Sequence, residues 1–452
     1  MKFNLLKKPD RTFNFTTLFL PKYLFKMNVF LEELKWRGML QDIMPGTEDQ
    51  LNKEITSAYI GFDPTADSLH IGSLVPILLL VHLQKAGHKP VALVGGATGM
   101  VGDPSGKSEE RNMLSEETLN KNVLGVKAQL YKFLDFSEST ANCAVMVNNY
   151  DWFKGISFLD FIRDAGKHIT VNYMMAKDSV KKRLDGENGM SFTEFTYQLV
   201  QGYDFYWLYK NMNCKLQMGG SDQWGNIVTG TELIRKKTGG EAFAFTCPLI
   251  KKADGTKFGK SEQGNIWLDA EKTSPYKFYQ FWLNSSDEDA ESWIKIFTFL
   301  GKNEIDQLIY DHKIDAGKRL LQKKLAEKIT LFVHGENEYL KAIETTEKLF
   351  SSQNASAEDL SENELNEIEG ITKTTLLKND FDNGIDLASM LTNAGIFTSK
   401  GDAKKMILSG GVSINRRKSD DPRLLPTKDM LLHNKFLLVQ KGKKTYYLFE
   451  II

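Results

Sequence analysis

Residues 58–74 read AYIGFDPTADSLHIGSL, and most of the architecture follows from them. AYIGF is a short apolar run closed by Asp63-Pro64, which predicts a strand. A helical run follows from about Ser73 to Ala86, and PVALVGG at 90–96 predicts a second, buried strand. Strand, helix and strand in succession predict a βαβ unit of a parallel sheet. In such sheets ligands sit beyond the C-terminal ends of the strands. The site is therefore expected after Phe62 and Gly96.

Working outward, KLQMGG at 215–220 leads into SDQWGNIVTGTELIRKK, a second strand-to-helix unit in which Asp222 is placed to cap the helix, and the strand AFAFTCPLI follows. An aromatic-rich insertion, roughly 150–200, separates the two units. Beyond residue 274, SPYKFYQFWLN and LLQKKLAEKITLFVHG carry helical patterns. The expected fold is α/β. A parallel-sheet domain spans 27–273, an all-helical domain 274–350, an acidic linker 351–384 and a small α+β module 385–452.

The bulk numbers exclude other classes. Of the 452 residues, 41% are hydrophobic and 26% charged, ordinary for a soluble globular protein. The longest wholly apolar run, Leu74 to Val81, falls far short of the ~20 residues that span a bilayer. Cys143, Cys214 and Cys247 lie far apart with no CxxC spacing, so neither a disulfide framework nor a zinc site is expected, and a cytoplasmic location fits. The net charge is zero but segregated: residues 351–384 hold eight acids and two bases, residues 385–452 twelve bases and six acids. The first 26 residues hold six Lys/Arg and one acid; with one Arg and no Ser they read less as a transit peptide than as a weakly structured extension or as a start chosen upstream of Met27.

Two segments carry the chemistry. His70 and Gly72 fall where a strand turns into a helix N-terminus, whose free N–H groups and dipole favour an anion such as a triphosphate. KKADGTKFGKSEQG at 251–264 is a Gly-rich cationic loop with Lys257 and Lys260 three apart. Either alone is weak evidence, since a His at a helix start is commonly a satisfied polar residue and Lys/Gly loops are commonly surface turns. Their pairing, in this order around a split parallel sheet, favours phosphate binding. Tyr197, Gln201 and Asp204, spaced i, i+4, i+7, share one polar helix face and can converge on one small ligand.

HIGS at 70–73 and KFGKS at 257–261 resemble the paired signatures of the class I aminoacyl-tRNA synthetases. YIGFDPTADSLHIG, GGATGMVGDPSGK, SFTEFTYQLVQGYDF, GGSDQWGN and KADGTKFGKSE resemble the tyrosine-specific members of bacterial type. The resemblance implies a Rossmann-like catalytic domain, ATP with accompanying Mg2+, L-tyrosine and tRNA(Tyr) as partners, and a homodimer formed near DWFKGISFLDFIRD. It assigns Tyr59 and Asp204 to the phenol hydroxyl, and Asp103, Tyr197 and Gln201 to the α-ammonium. Asp63, Thr65, Gly72, Ser73, Gly220, Asp222 and Gln223 fall to ATP or the adenylate, and His70, Lys257, Lys260, Lys107 and Arg111 to the phosphates. Ser73 departs from the pattern, standing where a second histidine is usual.

The tail IDLASMLTNAGIFTSKGDAKKMILSGGVSINRRKSDDP, two short helices followed by strands and a Lys-rich hairpin, resembles an alpha-L RNA-binding module. Arg416, Arg417, Lys418 and Lys443 are its expected tRNA contacts, with Arg235 and Lys236 at the acceptor stem. A small-molecule adenylyltransferase would need neither the 257–261 loop nor a basic tail. An RNA-binding factor without chemistry would not require Tyr59, Asp103 and Asp204.

Overall fold

The computed structural model describes residues 29–105, 114–186, 189–256, 258–261, 264–350, 357–367, 371–442 and 445–452. Lys107, Arg111, Lys257, Lys443, the side chain of Lys260 and the extension 1–26 lie outside them.

Five parallel strands form the central sheet: β1 (Ser57–Phe62), β2 (Lys89–Val94), β3 (Val145–Asn148), β4 (Cys214–Gly220) and β5 (Phe243–Cys247). Their order is β3-β2-β1-β4-β5, with β1 paired to β2 and to β4. The order reverses between β1 and β4, so the crevice for a ligand opens there. Helix Leu74–Lys85 buries nearly its whole surface, as its sequence LVPILLLVHLQK demands. Pro76 is tolerated because it sits in the first turn, where N–H groups have no helical partner.

Two helices build the other wall. Phe192–Met212 starts in a capping box, in which the Ser191 hydroxyl accepts from the Glu194 N–H and the Glu194 carboxylate accepts from the Ser191 N–H. It ends at Asn213, whose φ of 49° breaks the helix. Trp224–Thr238 packs against it at close range: a Cβ on Gly230 would lie 2.9 Å from the Phe205 side chain, so only glycine permits this approach. Asp222 does not cap this helix as expected. It lies inside the short 3-10 turn Ser221–Gln223, and Gln223 at the cap makes no side-chain cap bond.

Beyond the sheet run the helices Pro275–Leu283, Asp287–Phe297, Lys302–Ile314, Leu320–His334 and Glu336–Phe350. The buried Arg37 ties the first helix of the fold, Val29–Arg37, to this region by donating to the carbonyls of Lys295, Thr298 and Leu300. The short strands β6 (Lys260–Ser261) and β7 (Gly264–Asn265) pair as a small hairpin.

The C-terminal sheet contains β8 (Thr372–Leu376), β9 (Val412–Ile414), β10 (Arg417–Ser419), β11 (Phe436–Lys441) and β12 (Thr445–Ile451), in the order β10-β9-β11-β12-β8. β8 lies parallel to β12, and Leu376 and Phe381 join the core of this sheet. Residues 372–382 are therefore part of the module, not of an acidic linker running to 384. Acidic composition concealed a strand whose side chains are mostly exposed and whose backbone does the pairing. No described helix is long and apolar enough to cross a membrane.

Candidate active site

At the C-terminal end of β1 the chain delivers Asp63, and after β2 it delivers Gly95, Gly96 and Thr98. Thr98 donates to Asp63 Oδ1 at 2.6 Å and the Tyr197 hydroxyl donates to Asp63 Oδ2 at 2.8 Å. A Cβ on Gly95 would lie 2.2 Å from Asp63 Oδ1, so glycine is what leaves room for this carboxylate. Tyr197, expected at the α-ammonium, thus carries its hydroxyl on Asp63.

Asp103, Gln223, Asn226 and Gln201 form one polar chain. Gln223 Nε2 donates to Asp103 Oδ2 at 2.7 Å, Asn226 Nδ2 to Gln223 Oε1 at 3.2 Å, and Asn226 Nδ2 to Gln201 Oε1 at 3.0 Å. Asp103 also accepts from the Ser105 N–H. Burial first, and then the charge of Asp103, hold the Asp222 carboxyl above its ordinary value. Carboxylates gathered on one side of the crevice favour a cationic group between them.

Deeper in, Asp204 is buried. Its Oδ1 accepts from Trp152 Nε1 at 2.9 Å and its Oδ2 from Asn149 Nδ2 at 3.0 Å. Burial raises its carboxyl to about 8 against the pull of those two donors, with the Asp63 charge adding to the rise. Trp152 stacks on Trp207 at 4.3 Å, and Asn149 also donates to Thr98 and accepts from the Ala97 N–H, so both donors are locked. Among the described residues the buried Tyr59 hydroxyl has no hydrogen-bond partner. Burial, then the Asp204 charge, push that hydroxyl well above its usual value, so it stays neutral and able to donate. An unpaired buried hydroxyl costs about 1–3 kcal/mol, a cost a bound ligand group would relieve.

His70 caps the 3-10 turn Ile71–Ser73, its Nδ1 accepting from the Gly72 N–H at 3.0 Å. A Cβ on Gly72 would strike the His70 ring at 2.7 Å, which accounts for the glycine. The Ser73 hydroxyl makes no cap bond at the following helix. The segment after the 257–261 loop lies directly on this turn: Ile71 N–H donates to Ile266 C=O at 2.9 Å and Leu268 N–H to Leu69 C=O at 2.9 Å. Thr65 is exposed on the loop leaving β1, and Gly220 ends β4. The two signature segments, far apart in sequence, are thus neighbours in space.

Of the expected RNA contacts, Arg235 and Lys236 both pair with Glu232, Arg235 through two bonds of 2.8 Å. Arg416 occupies the β9–β10 turn, where Asn415 and Arg416 have φ of 45° and 67°, and is half-buried; Arg417 and Lys418 are exposed.

Asn149, Trp152, Thr98, Ser105 and Asn226 were not anticipated. Asn149 follows β3 just as Asp63 follows β1, so the strand-end rule would have found it had the four-residue edge strand been recognised.

The family profile described as class I tRNA synthetases (W and Y) matches residues 51–351, and the one for the SYY-like C-terminal domain of tyrosine–tRNA ligase matches 367–449. A tyrosine–tRNA ligase of Flavobacterium johnsoniae is 59% identical over 434 residues, 94% of this chain and 100% of its own. One of Cytophaga hutchinsonii is 61% identical over 427 residues, 93% of this chain and 99% of its own. Among solved structures, a C-terminally truncated mitochondrial tyrosyl-tRNA synthetase of Aspergillus nidulans aligns with a TM-score of 0.63 at 30% identity, covering 71% of this chain and 94% of that one. With the profile covering most of the chain and such relatives matched end to end, this chain belongs to the class I tRNA synthetases, in their tyrosine–tRNA ligase branch.

Proposed function

We infer that the chain joins L-tyrosine to ATP as tyrosyl-adenylate, releasing pyrophosphate, and then transfers tyrosine to the 3′ end of tRNA(Tyr). The observation that carries the substrate assignment is the pair at the bottom of the crevice: an unpartnered, neutral Tyr59 hydroxyl beside a buried Asp204 held by two fixed donors. A phenol hydroxyl can donate to Asp204, which keeps spare acceptor capacity, and accept from Tyr59. Phenylalanine would leave the Tyr59 hydroxyl unpaired and the spare acceptor capacity of Asp204 unused, so discrimination arises at binding.

The α-ammonium fits the carboxylate side of the crevice, near Asp103 and Gln201. The substrate carboxylate is already ionised and attacks the α-phosphorus in line, so the protein's task is positioning and charge stabilisation. His70, the backbone of the 71–73 turn and the lysines of the 257–261 loop are assigned to the phosphates, with Lys107 and Arg111. Asp63, Thr65, Ser73, Gly220, Asp222 and Gln223 are assigned to the nucleotide or adenylate.

Magnesium is expected with ATP. Among the described residues no cluster of three or more His, Cys, Asp or Glu is suited to hold a metal ion. The basic C-terminal module, with Arg416, Arg417, Lys418 and Lys443, is assigned to tRNA(Tyr) together with Arg235 and Lys236. A homodimer in the cytoplasm completes the reading.

The test is ATP–pyrophosphate exchange with tyrosine and with phenylalanine, in the wild type and Tyr59→Phe. Exchange should require tyrosine. Tyr59→Phe should lower kcat/KM for tyrosine roughly three- to tenfold, one neutral hydrogen bond, and leave phenylalanine unaffected. Exchange supported by another amino acid, or none from folded protein, would sink the reading.

A further inference from the structure

The ATP assignment leaves unexplained a residue in the middle of the second signature: Phe258, between Lys257 and Lys260 in sequence. Its ring packs among four aromatic side chains of the helical region. It stacks on Phe297 at 5.2 Å with planes 17° apart and meets Trp293 edge-on at 5.0 Å; Trp282 and Phe281 complete the socket at 5.9 and 6.1 Å. Trp293 and Phe297 belong to the helix Asp287–Phe297. The same helix holds the start of the loop, because the buried Asp289 carboxylate accepts from the Ala253 N–H at 2.8 Å.

On its other side the loop meets the first signature. Gly259 has a φ of 89°, and a Cβ there would come within 3.4 Å of Ile71 and 3.7 Å of the Gly72 nitrogen. The Gly259 carbonyl accepts from the Ile266 N–H at 3.2 Å, and the Ile266 carbonyl accepts from Ile71. Phe258 and Gly259 are thus adjacent residues, one locked into the helical region and the other laid on the turn that begins at His70.

We propose that Phe258 is a positioning residue for ATP: by seating in the aromatic socket of the helices Pro275–Leu283 and Asp287–Phe297 it fixes the spacing between the two nucleotide-holding segments. The proposal rests on the ATP-dependent reading above. It makes the helical region part of the ATP site without touching the nucleotide. A ring held on four sides by other rings has one seat, whereas a smaller side chain would leave the backbone of 257–260 free to shift by about 1 Å, enough to cost roughly tenfold or more in a positioned reaction.

The experiment is ATP–pyrophosphate exchange with Phe258→Leu, Phe258→Met and Phe297→Leu, beside thermal melting of each variant. Tyrosine-dependent exchange by the wild type comes first, and its absence would overturn the functional reading rather than this one. With exchange established, Phe258→Leu should raise KM for ATP at least fivefold while KM for tyrosine stays within twofold. Phe297→Leu should reproduce that split, and the double variant should be no worse than the poorer single, since both act through one contact. Phe258→Met, which fills the socket and keeps sulfur–aromatic contacts, should restore most of the loss. A loss of melting temperature with ATP and tyrosine constants moving together would overturn the proposal, as would an ATP constant within fivefold of wild type. If Phe258→Leu does not fold, Phe297→Leu read by the same split decides.

Discussion

Asp204 concentrates the chemistry of one residue into a pH signature. Its carboxyl, raised to about 8 by burial, is largely neutral at pH 6 in the free protein and largely ionised above 8. A tyrosine hydroxyl donates best to the ionised form, so binding should draw the proton off, and affinity should tighten as pH climbs from 6 to 8. Tyrosine titrations across that range should show the slope in the wild type and lose it in Asp204→Asn, whose side chain carries no titrating charge. For folding the sign is opposite: a folded value above the ordinary 3.8 stabilises below 3.8, and that stability is lost as pH rises towards 8. The wild type's advantage over Asp204→Asn in thermal melting should therefore shrink between pH 5 and 8. Sequence reading reached Asp204 and Tyr59 because they sit in recognisable strings. It did not reach Asn149, because the four-residue edge strand before it carries too short a pattern, nor Trp152, whose role depends on which way a four-residue helix aims its side chain.

At the scale of elements, the helix Phe192–Met212 was legible from the polar stripe of Tyr197, Gln201 and Asp204, since periodicity is local; its capping box at Ser191 and Glu194 came only with the structure. What holds that start in place is not local. Arg183, from the helix Asp178–Leu184, donates to Glu194 Oε2 at 2.7 Å with both side chains largely buried, so the insertion is tied to the helix that carries Tyr197, Gln201 and Asp204. Arg183→Met strands a buried carboxylate and should cost about 3–5 kcal/mol. Arg183→Met combined with Glu194→Gln removes both charges, and glutamine preserves the capping box, so most of the loss should return. Denaturant unfolding of the two single variants and the double measures the cycle; a double variant as unstable as the sum of the singles would show that the pair has no coupling. The parallel strands before the crevice were legible for the reason this ion pair was not: hydrophobic runs announce themselves, while a long-range charge pair has no sequence period.

At the scale of the whole molecule, the reading of 351–384 as linker went astray because composition speaks for exposure and not for backbone pairing, which is how Thr372–Leu376 joins the C-terminal sheet. The same distinction bears on assembly. The segment DWFKGISFLDFIRD, expected at a dimer contact, divides in two. Trp152 turns inward onto Asp204, while the helix Phe158–Asp164 buries none of its residues, leaving Phe158 63% and Leu159 71% exposed. Val171, on the next short helix, is 59% exposed. A seven-residue helix is too short to stand on propensity alone, and only Phe161, packed on Phe153 and Tyr203, ties it to its own core, while Phe158 and Leu159 face outward. A second copy laid on the same face would cover them by two-fold symmetry, each chain meeting the other through the same patch. Light scattering on the eluting wild type should then give about twice the 51.3 kDa of one chain. Leu159→Glu with Val171→Glu buries two like charges against their symmetry mates and should bring the mass down to one chain. A wild type that elutes as a single chain across micromolar concentrations would remove the dimer from the reading and leave this apolar face without its proposed cover.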